Sequence, residues 1–458
     1  MDHAAWLRDG LDGADEELKK SYQYFMRVDP DQRDFLGPIV KIDDPVTGRQ
    51  MRTRVGKVGM VRGAKPENMK DVTIYMDPLP HVRIEKGKDL QGWYQGKQLS
   101  APGSRERPCM TDAILTEPYG GFCTVGCSFC YINSGFRGYR GSGLITVPIG
   151  YGAHVRKQLA SMRTSAAGYF SSFTDPFLPL EDYYHNTEEG VRAFTDNGLP
   201  VFFLSRLAYP DWAIDALRAN PYSYAQKSIN TPDPDDWKKL SPGALPLMDH
   251  LDEIRALRAA GIYVSIQVNP IIPGIVTHDD VEKLFGMLAE AGANHVIVKF
   301  VEANHPWAGA MVERINKRFG DNRGAAFRDL FTENSCGGQK TVTEEYRREG
   351  HTRYMKRATE LGMTYSLCYE YTKKSGEWHS MGPEFITSDQ CHGHRVPMHT
   401  RSGPGQPFRP LGECPPSGCL SCSDGNRGVP RCGSALLGEA KALRIADLRK
   451  DPFKEVDA

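Results

Sequence analysis

No run of about 18 apolar residues occurs anywhere in the 458-residue chain, so a membrane-spanning helix is not expected. The opening Met1-Asp2-His3-Ala4-Ala5-Trp6 lacks the basic and then apolar regions of a secretory signal, and a cytoplasmic location is expected. Neither charge is in excess: 57 Lys plus Arg balance 57 Asp plus Glu. Proteins that grip polyanions carry a positive surplus to neutralise phosphates, so the balance speaks against a nucleic-acid partner. A local basic patch of Arg137, Arg140 and Arg156 is the remaining argument for one. No internal repeat is present beyond an alternation of strand and helix patterns.

Cysteine, by contrast, is plentiful and unevenly placed. Three of the 11 fall within residues 123–130, and four more lie between 414 and 432. In a reducing compartment such clusters bind metal or do chemistry rather than form disulfides.

The chain is long enough for two or three structural units. Residues 1–108 are polar with little periodicity and read as an N-terminal extension or cap. A helix is expected near 15–25 and strands at 72–76 and 81–84. From 109 to 325 short apolar runs alternate with amphipathic stretches: strands at 111–115, 168–172, 200–204, 224–229, 262–268 and 295–301. Helices are expected between and after them, at 151–161, 187–197, 211–219, 249–260, 278–291 and 308–318. Each crossover helix returns the chain to the same edge, so the strands should be parallel. The expected fold class is therefore α/β, a partial (β/α)6 TIM-type barrel whose site lies at the carboxyl ends of the strands. Residues 326–458 add a helix at 352–361 and a strand-like stretch at 363–367. The region 381–432 has almost no periodicity, and a cysteine-rich segment of that kind needs a metal centre to hold it together.

The first cluster reads Gly121-Phe122-Cys123-Thr124-Val125-Gly126-Cys127-Ser128-Phe129-Cys130-Tyr131 and follows the first expected strand. Three thiolates at these spacings can each take one corner of a cubane, leaving a fourth iron open. Gly126 frees the backbone where the loop must turn. A zinc knuckle would want a fourth ligand, for which Cys109 is badly spaced, and a ferredoxin site would supply four cysteines.

Cys-x3-Cys-x2-Cys with Phe129 just before the last cysteine resembles the signature of the radical S-adenosylmethionine (SAM) superfamily. Four further strings each end an expected strand: Ser171-Ser172-Phe173-Thr174-Asp175-Pro176, Leu204-Ser205-Arg206, Lys227-Ser228-Ile229-Asn230-Thr231 and Asn269-Pro270-Ile271-Ile272-Pro273-Gly274. With the cysteine loop they resemble spore photoproduct lyase-like proteins over about residues 110–300. The resemblance implies a [4Fe-4S] cluster on Cys123, Cys127 and Cys130, with SAM chelated at the open iron. It further implies reductive cleavage of SAM to a 5′-deoxyadenosyl radical and hydrogen abstraction from a substrate. By the same resemblance the Phe129 backbone lies near the adenine, and Ser205 or Arg206 takes the cofactor carboxylate. Ser228 would take the ribose or methionyl group, and Thr174 or Asp175 the amine or a ribose hydroxyl. Each of these polar residues reads equally well as a hydrogen-bonded loop cap.

In the tail, Cys414, Cys419, Cys422 and Cys432 form the simplest four-ligand set. A zinc site and an auxiliary [4Fe-4S] cluster are both open, and the resemblance to radical enzymes with such C-terminal extensions favours the second cluster. Cys368 or Cys391 is a substitute ligand or a lining residue of the active site. His392 and His394 are ligands or hydrogen-bonding groups, and Cys336 is a hydrogen donor or structural. The expected partners are a small-molecule or nucleoside-like substrate and a reductase, flavodoxin or ferredoxin electron donor. Three uses of the auxiliary cluster are open: accepting an electron, binding the substrate, or surrendering a sulfide for sulfur insertion or sulfur-for-oxygen exchange in natural-product biosynthesis. Repair of a nucleic-acid lesion is the alternative, and a zinc-stabilised binding protein the non-catalytic reading.

Overall fold

The computed structural model describes residues 38–59, 69–92 (except 86 and 88), 113–130 (except 122) and 144–410. Within the last range, residues 172, 336, 337, 389, 390, 395 and 398 are not described. The helix expected near 15–25, Cys109, Arg137, Arg140, Cys336 and the four tail cysteines lie outside the described residues.

Seven parallel strands form the centre. In chain order they are β1 (Ala113–Thr116), β2 (Ala167–Phe170), β3 (Val201–Ser205), β4 (Tyr224–Ser228), β5 (Tyr263–Ile271), β6 (His295–Phe300) and β7 (Thr364–Leu367). They lie side by side in that order, and Gln91–Gly92 adds an antiparallel edge beyond β1. The six expected strands are all present. The seventh, a stretch read in the C-terminal segment, pairs in parallel with β6, so the six-unit count is corrected to seven. The sheet is mixed and open, because its two edge strands, β7 and Gln91–Gly92, are not paired with each other among the described residues.

Strands buried on both faces read as apolar runs, and β3, Val-Phe-Phe-Leu-Ser, does so. The outward side chains Ile114, Phe170, Phe203, Ala225, Ile266 and Val298 pack under the helices in one large core. Helices Tyr151–Ala160, Asn186–Thr195, Asp211–Arg218, Leu247–Ala259 and His278–Glu290 supply the other side of that core. Local chemistry fixes some helix starts. Thr277 and Asp280 form a reciprocal capping box, and Asp233 caps a helix, Pro234–Leu240, that the periodicity did not predict.

The concave face is closed at the amino ends of the strands. Tyr169, Phe202 and Tyr224 sit in adjacent register on β2, β3 and β4 and stack at 4.5 and 4.6 Å between ring centroids. Residues 391–394 and 396–397 fold against these rings with Cys391 and Val396 buried among them. The Cys391 carbonyl accepts from Ser366 Oγ at 2.6 Å and is 2.9 Å from His295 Nε2. Beyond this plug, Arg401 donates to the carbonyls of Leu159, Ala160 and Met162, satisfying the orphan acceptors at a helix end. Arg409–Pro410, where the described chain stops, pairs with His399–Thr400 on this same amino-terminal side. An apolar floor at one end therefore leaves the carboxyl ends as the open, polar end.

The N-terminal region is more ordered than its composition suggests. Val40–Asp44, Arg49–Gly59, Met69–Tyr75, His81–Ile84 and Ile145–Pro148 form a five-stranded sheet. Its last strand joins His81–Ile84 in parallel across a long sequence gap, which local patterns do not encode. Among the described residues no helix is long and apolar enough to cross a membrane.

Candidate active site

The cysteine loop begins where β1 ends. Gly120 exchanges both backbone bonds with Thr146, so the N-terminal sheet clamps the entry to the loop. At Gly121, φ is +76° and a Cβ would stand 2.1 Å from the Leu144 carbonyl oxygen; only glycine fits there. Gly126, at φ +65°, donates to the Cys123 carbonyl, and the Cys130 N–H donates to the Cys127 carbonyl. Ser128 N–H donates to Leu240 O, Gly243 N–H to Val125 O, and Arg314 to Ser128 O. The loop is thus moored to the end of helix Pro234–Leu240.

We expect Gly121→Ala to cost about 1–3 kcal/mol or more and to lower iron content after reconstitution. The control is Gly126→Ala, whose Cβ meets nothing closer than Pro242 Cγ at 3.6 Å. Equal iron loading in the two variants would show that the clamp at Gly121 does not set the loop.

Cys123, Cys127 and Cys130 are half-buried and near enough to act on one another. Burial pushes the Cys123 and Cys127 thiols up, Asp175 and the neighbouring thiols add to this at Cys123, and Arg206 opposes it at Cys127. Ser241 Oγ donates to Cys127 Sγ at 3.4 Å. Arg206 is buried here; its guanidinium reaches Ser241 Oγ at 3.1 Å, Asn269 O at 3.0 Å and Asn230 Oδ1 at 3.4 Å. It also lies 5.1 Å from the rings of both Phe129 and Trp237. Burial pulls its pKa down while the thiols oppose that shift. A cation held beside three thiols suits a centre whose thiolates carry negative charge. Among the described residues no three His, Cys, Asp or Glu side chains are placed to hold a single metal ion. A cubane asks for something else, one thiolate at each of three separate irons, and this loop fits that demand.

The other predicted residues gather at the same end. Asp175, whose carboxyl burial pushes up, accepts from Ser205 Oγ at 2.9 Å and the Arg206 N–H at 2.8 Å. Thr174 Oγ donates to Tyr119 O, and Ser228 is buried at the end of β4. Cys368 follows β7 at this end and donates its N–H to Val298 O. Three predicted candidates lie elsewhere. Cys391 and His392 sit in the floor, where His392 Nδ1 meets the Tyr224 hydroxyl. His394 stacks on Tyr263 and meets the Pro221 carbonyl. Both histidines are hydrogen-bonding groups of the plug. Arg156 is paired with Asp196 at 2.6 Å on the helix layer.

Sequence reading passed over Gln226, Gln267, Lys299 and Ser241. The first three stand on the concave face, where Gln267 donates to Gln226 Oε1 at 3.0 Å and Asn269 to Gln267 Oε1 at 3.4 Å. Their signal was there: polar residues two apart in otherwise apolar strands, as in Ser265, Gln267 and Asn269.

No protein-family model matches the chain. A curated protein of Pseudomonas phage M6, described as a radical SAM Nα-GlyT isomerase, is 62% identical over 460 residues, covering 98% of this chain and 95% of that protein. Among solved structures, a spore photoproduct lyase variant with bound AdoMet and dinucleoside spore photoproduct shows 15% identity and a TM-score of 0.43. It covers 56% of this chain and 75% of that one. Streptococcus suis SuiB bound to S-adenosylmethionine shows 11% identity and a TM-score of 0.35, covering 55% and 48%. Identity of 62% along nearly the whole of both chains makes this protein a member of the radical SAM enzymes, in the family of the phage Nα-GlyT isomerase.

Proposed function

We propose that this protein is an isomerase that acts on a substrate bearing a glycine linked through its α-nitrogen. The observation that carries this reading is the near full-length identity to a protein named for that reaction. Cys123, Cys127 and Cys130 would hold the [4Fe-4S] cluster, and with SAM bound that centre supplies a 5′-deoxyadenosyl radical. Arg206 and Asp175 would orient the cofactor together with Ser205, Thr174, Ser228 and the backbone of Phe129. An external one-electron donor such as a flavodoxin or ferredoxin would reduce the cluster.

The glycyl α-carbon is the favoured point of attack, since a radical there is stabilised by the adjacent nitrogen and carboxylate together. In an isomerisation substrate and product share one formula. The hydrogen atom removed from carbon is therefore balanced by one restored after the bonds rearrange. The closed apolar floor suits such chemistry, because it keeps water and stray hydrogen donors from the radical on that side.

Sulfur insertion is a separate proposal that rests on Cys414, Cys419, Cys422 and Cys432 holding an auxiliary cluster, and it requires a sulfide to enter the product. We also propose a division into a cap over 1–108, a catalytic unit over 109–325 and a C-terminal unit over 326–458 that lends β7 to the catalytic sheet. The deciding experiment is anaerobic turnover of reconstituted protein with dithionite, SAM and Nα-GlyT deuterated at the glycyl methylene. The expected result is a product of unchanged mass apart from label exchange, altered connectivity, and deuterium in 5′-deoxyadenosine. A product that has gained sulfur, or SAM cleavage with no transfer of label, would overturn the isomerase reading.

A further inference from the structure

The open end of the concave face can be traced from exposure alone. In β6 every residue but Lys299 is buried, and in β3 every residue but Leu204. In β5 the half-buried position near the carboxyl end is Asn269, and Cys368 beyond β7 is likewise half-buried. Leu204 packs with the concave cluster. Lys299 shares the face of His295, which is bonded to the floor, because side chains two and four apart point the same way. These positions, on β3, β5 and β6 and just beyond β7, border the hollow of the concave face above the aromatic floor. The Gln226–Gln267–Asn269 amide ladder stands on the same face, and the carboxylates of Glu302 and Glu370 lie near Lys299.

Lys299 brings a cation into this hollow. Its Nζ donates to Tyr369 O at 2.8 Å and pairs with Glu302 at 2.9 Å, with 14% of the side chain exposed. An ammonium has three donors; Tyr369 O and Glu302 take two, and the third meets no hydrogen-bond acceptor among the described residues, with the Tyr369 ring centroid 5.6 Å from Nζ. Arg206, the other cation at this end, already reaches Ser241, Asn230 and Asn269. Those contacts also join the two regions: Asn269 on β5 stands beside β6, and Arg206 links its carbonyl through Ser241 to Cys127.

We propose that Lys299 anchors the carboxylate of the substrate, holding the amino-acid end against β6 while its α-carbon faces the cysteine loop. The proposal rests on the glycyl-substrate reading above, since a glycine joined through its nitrogen keeps a free carboxylate. A fixed ammonium beside amides and apolar groups favours a carboxylate over a neutral amide. Glu302 holds the ammonium in place and competes for it, which sets the affinity.

The test compares Nα-GlyT with its carboxamide in wild type, Lys299→Met, Lys299→Arg and Glu302→Gln. Steady-state turnover, equilibrium binding of each compound, and SAM affinity are measured on reconstituted protein. Wild type should prefer the carboxylate by about 10- to 100-fold, and Lys299→Met should lose that preference, mainly in KM and Kd. SAM affinity and iron content should not change, which separates the substrate carboxylate from that of the cofactor. Glu302→Gln should bind the carboxylate more tightly, and Lys299→Arg should retain part of the preference. Undiminished preference in Lys299→Met, or weakened SAM binding in its place, would overturn the assignment. Should Lys299→Met fail to fold, equal affinity of wild type for carboxylate and carboxamide would still overturn it. Failure of wild type to bind or turn over any glycyl compound would instead remove the isomerase reading, and the anchor with it.

Discussion

Replacing Cys123, Cys127 and Cys130 together by alanine will remove about four irons per chain and bring SAM cleavage below detection. The loop places three thiols beside one buried guanidinium; of the other described cysteines, Cys391 is in the floor and Cys368 follows β7. Iron and labile sulfide are counted after anaerobic reconstitution of wild type and variant. About eight irons falling to about four would place a second cubane on the chain and assign it to the tail cysteines. About four falling to none would leave a single cluster, make the tail a zinc or structural segment, and remove any sulfide for insertion. Retained 5′-deoxyadenosine formation in the variant would refute the assignment of the loop.

Glu370→Gln will destabilise the fold by about 3–5 kcal/mol, the cost of stranding one member of a buried ion pair. Glu370 and Arg347 are 2.8 Å apart with side chains 1% and 3% exposed, and Glu370 also accepts from the Phe300 N–H at 2.7 Å. The pair ties helix Glu344–Glu360 to the end of β6, one residue from Lys299. Burial pushes the Glu370 carboxyl up, but Arg347, Lys299 and His351 outweigh it and hold it below the ordinary value. A depressed carboxyl stabilises the fold above its unfolded pKa of about 4.3, and this contribution fades as pH falls through the lower folded value. The gap in denaturant midpoint between wild type and variant should therefore be full above about pH 5 and shrink in acid. A gap that stays constant down to the acid transition would mean that Glu370 is not ionised in the native state.

The isomerase reading narrows the part that sulfur can play. An isomerisation adds no atom to its substrate, so a second cluster in the tail would serve electron transfer or structure rather than supply sulfide.

Local pattern alone determined much of this protein. The cysteine spacing is a property of eight consecutive residues, and β1 to β6 are short apolar or alternating stretches, such as Val-Phe-Phe-Leu-Ser in β3 and Tyr-Val-Ser-Ile-Gln-Val in β5, so both were legible from sequence. The polar residues near the strand ends were legible for the same reason, since Ser205 closes β3, Arg206 follows it and Asp175 stands in the loop after β2. Tertiary structure alone decided the rest, because pairings between distant segments carry no local signature. It joined Thr364–Leu367 to β6 as a seventh strand, set Ile145–Pro148 against His81–Ile84 to clamp the loop at Gly120, and drew Cys391 and Val396 under the sheet as a floor. A lysine in an apolar strand is equally a surface residue or a buried anchor until the fold shows which face is concave. Lys299 lies on the concave face because it alternates in step with His295, which meets the floor.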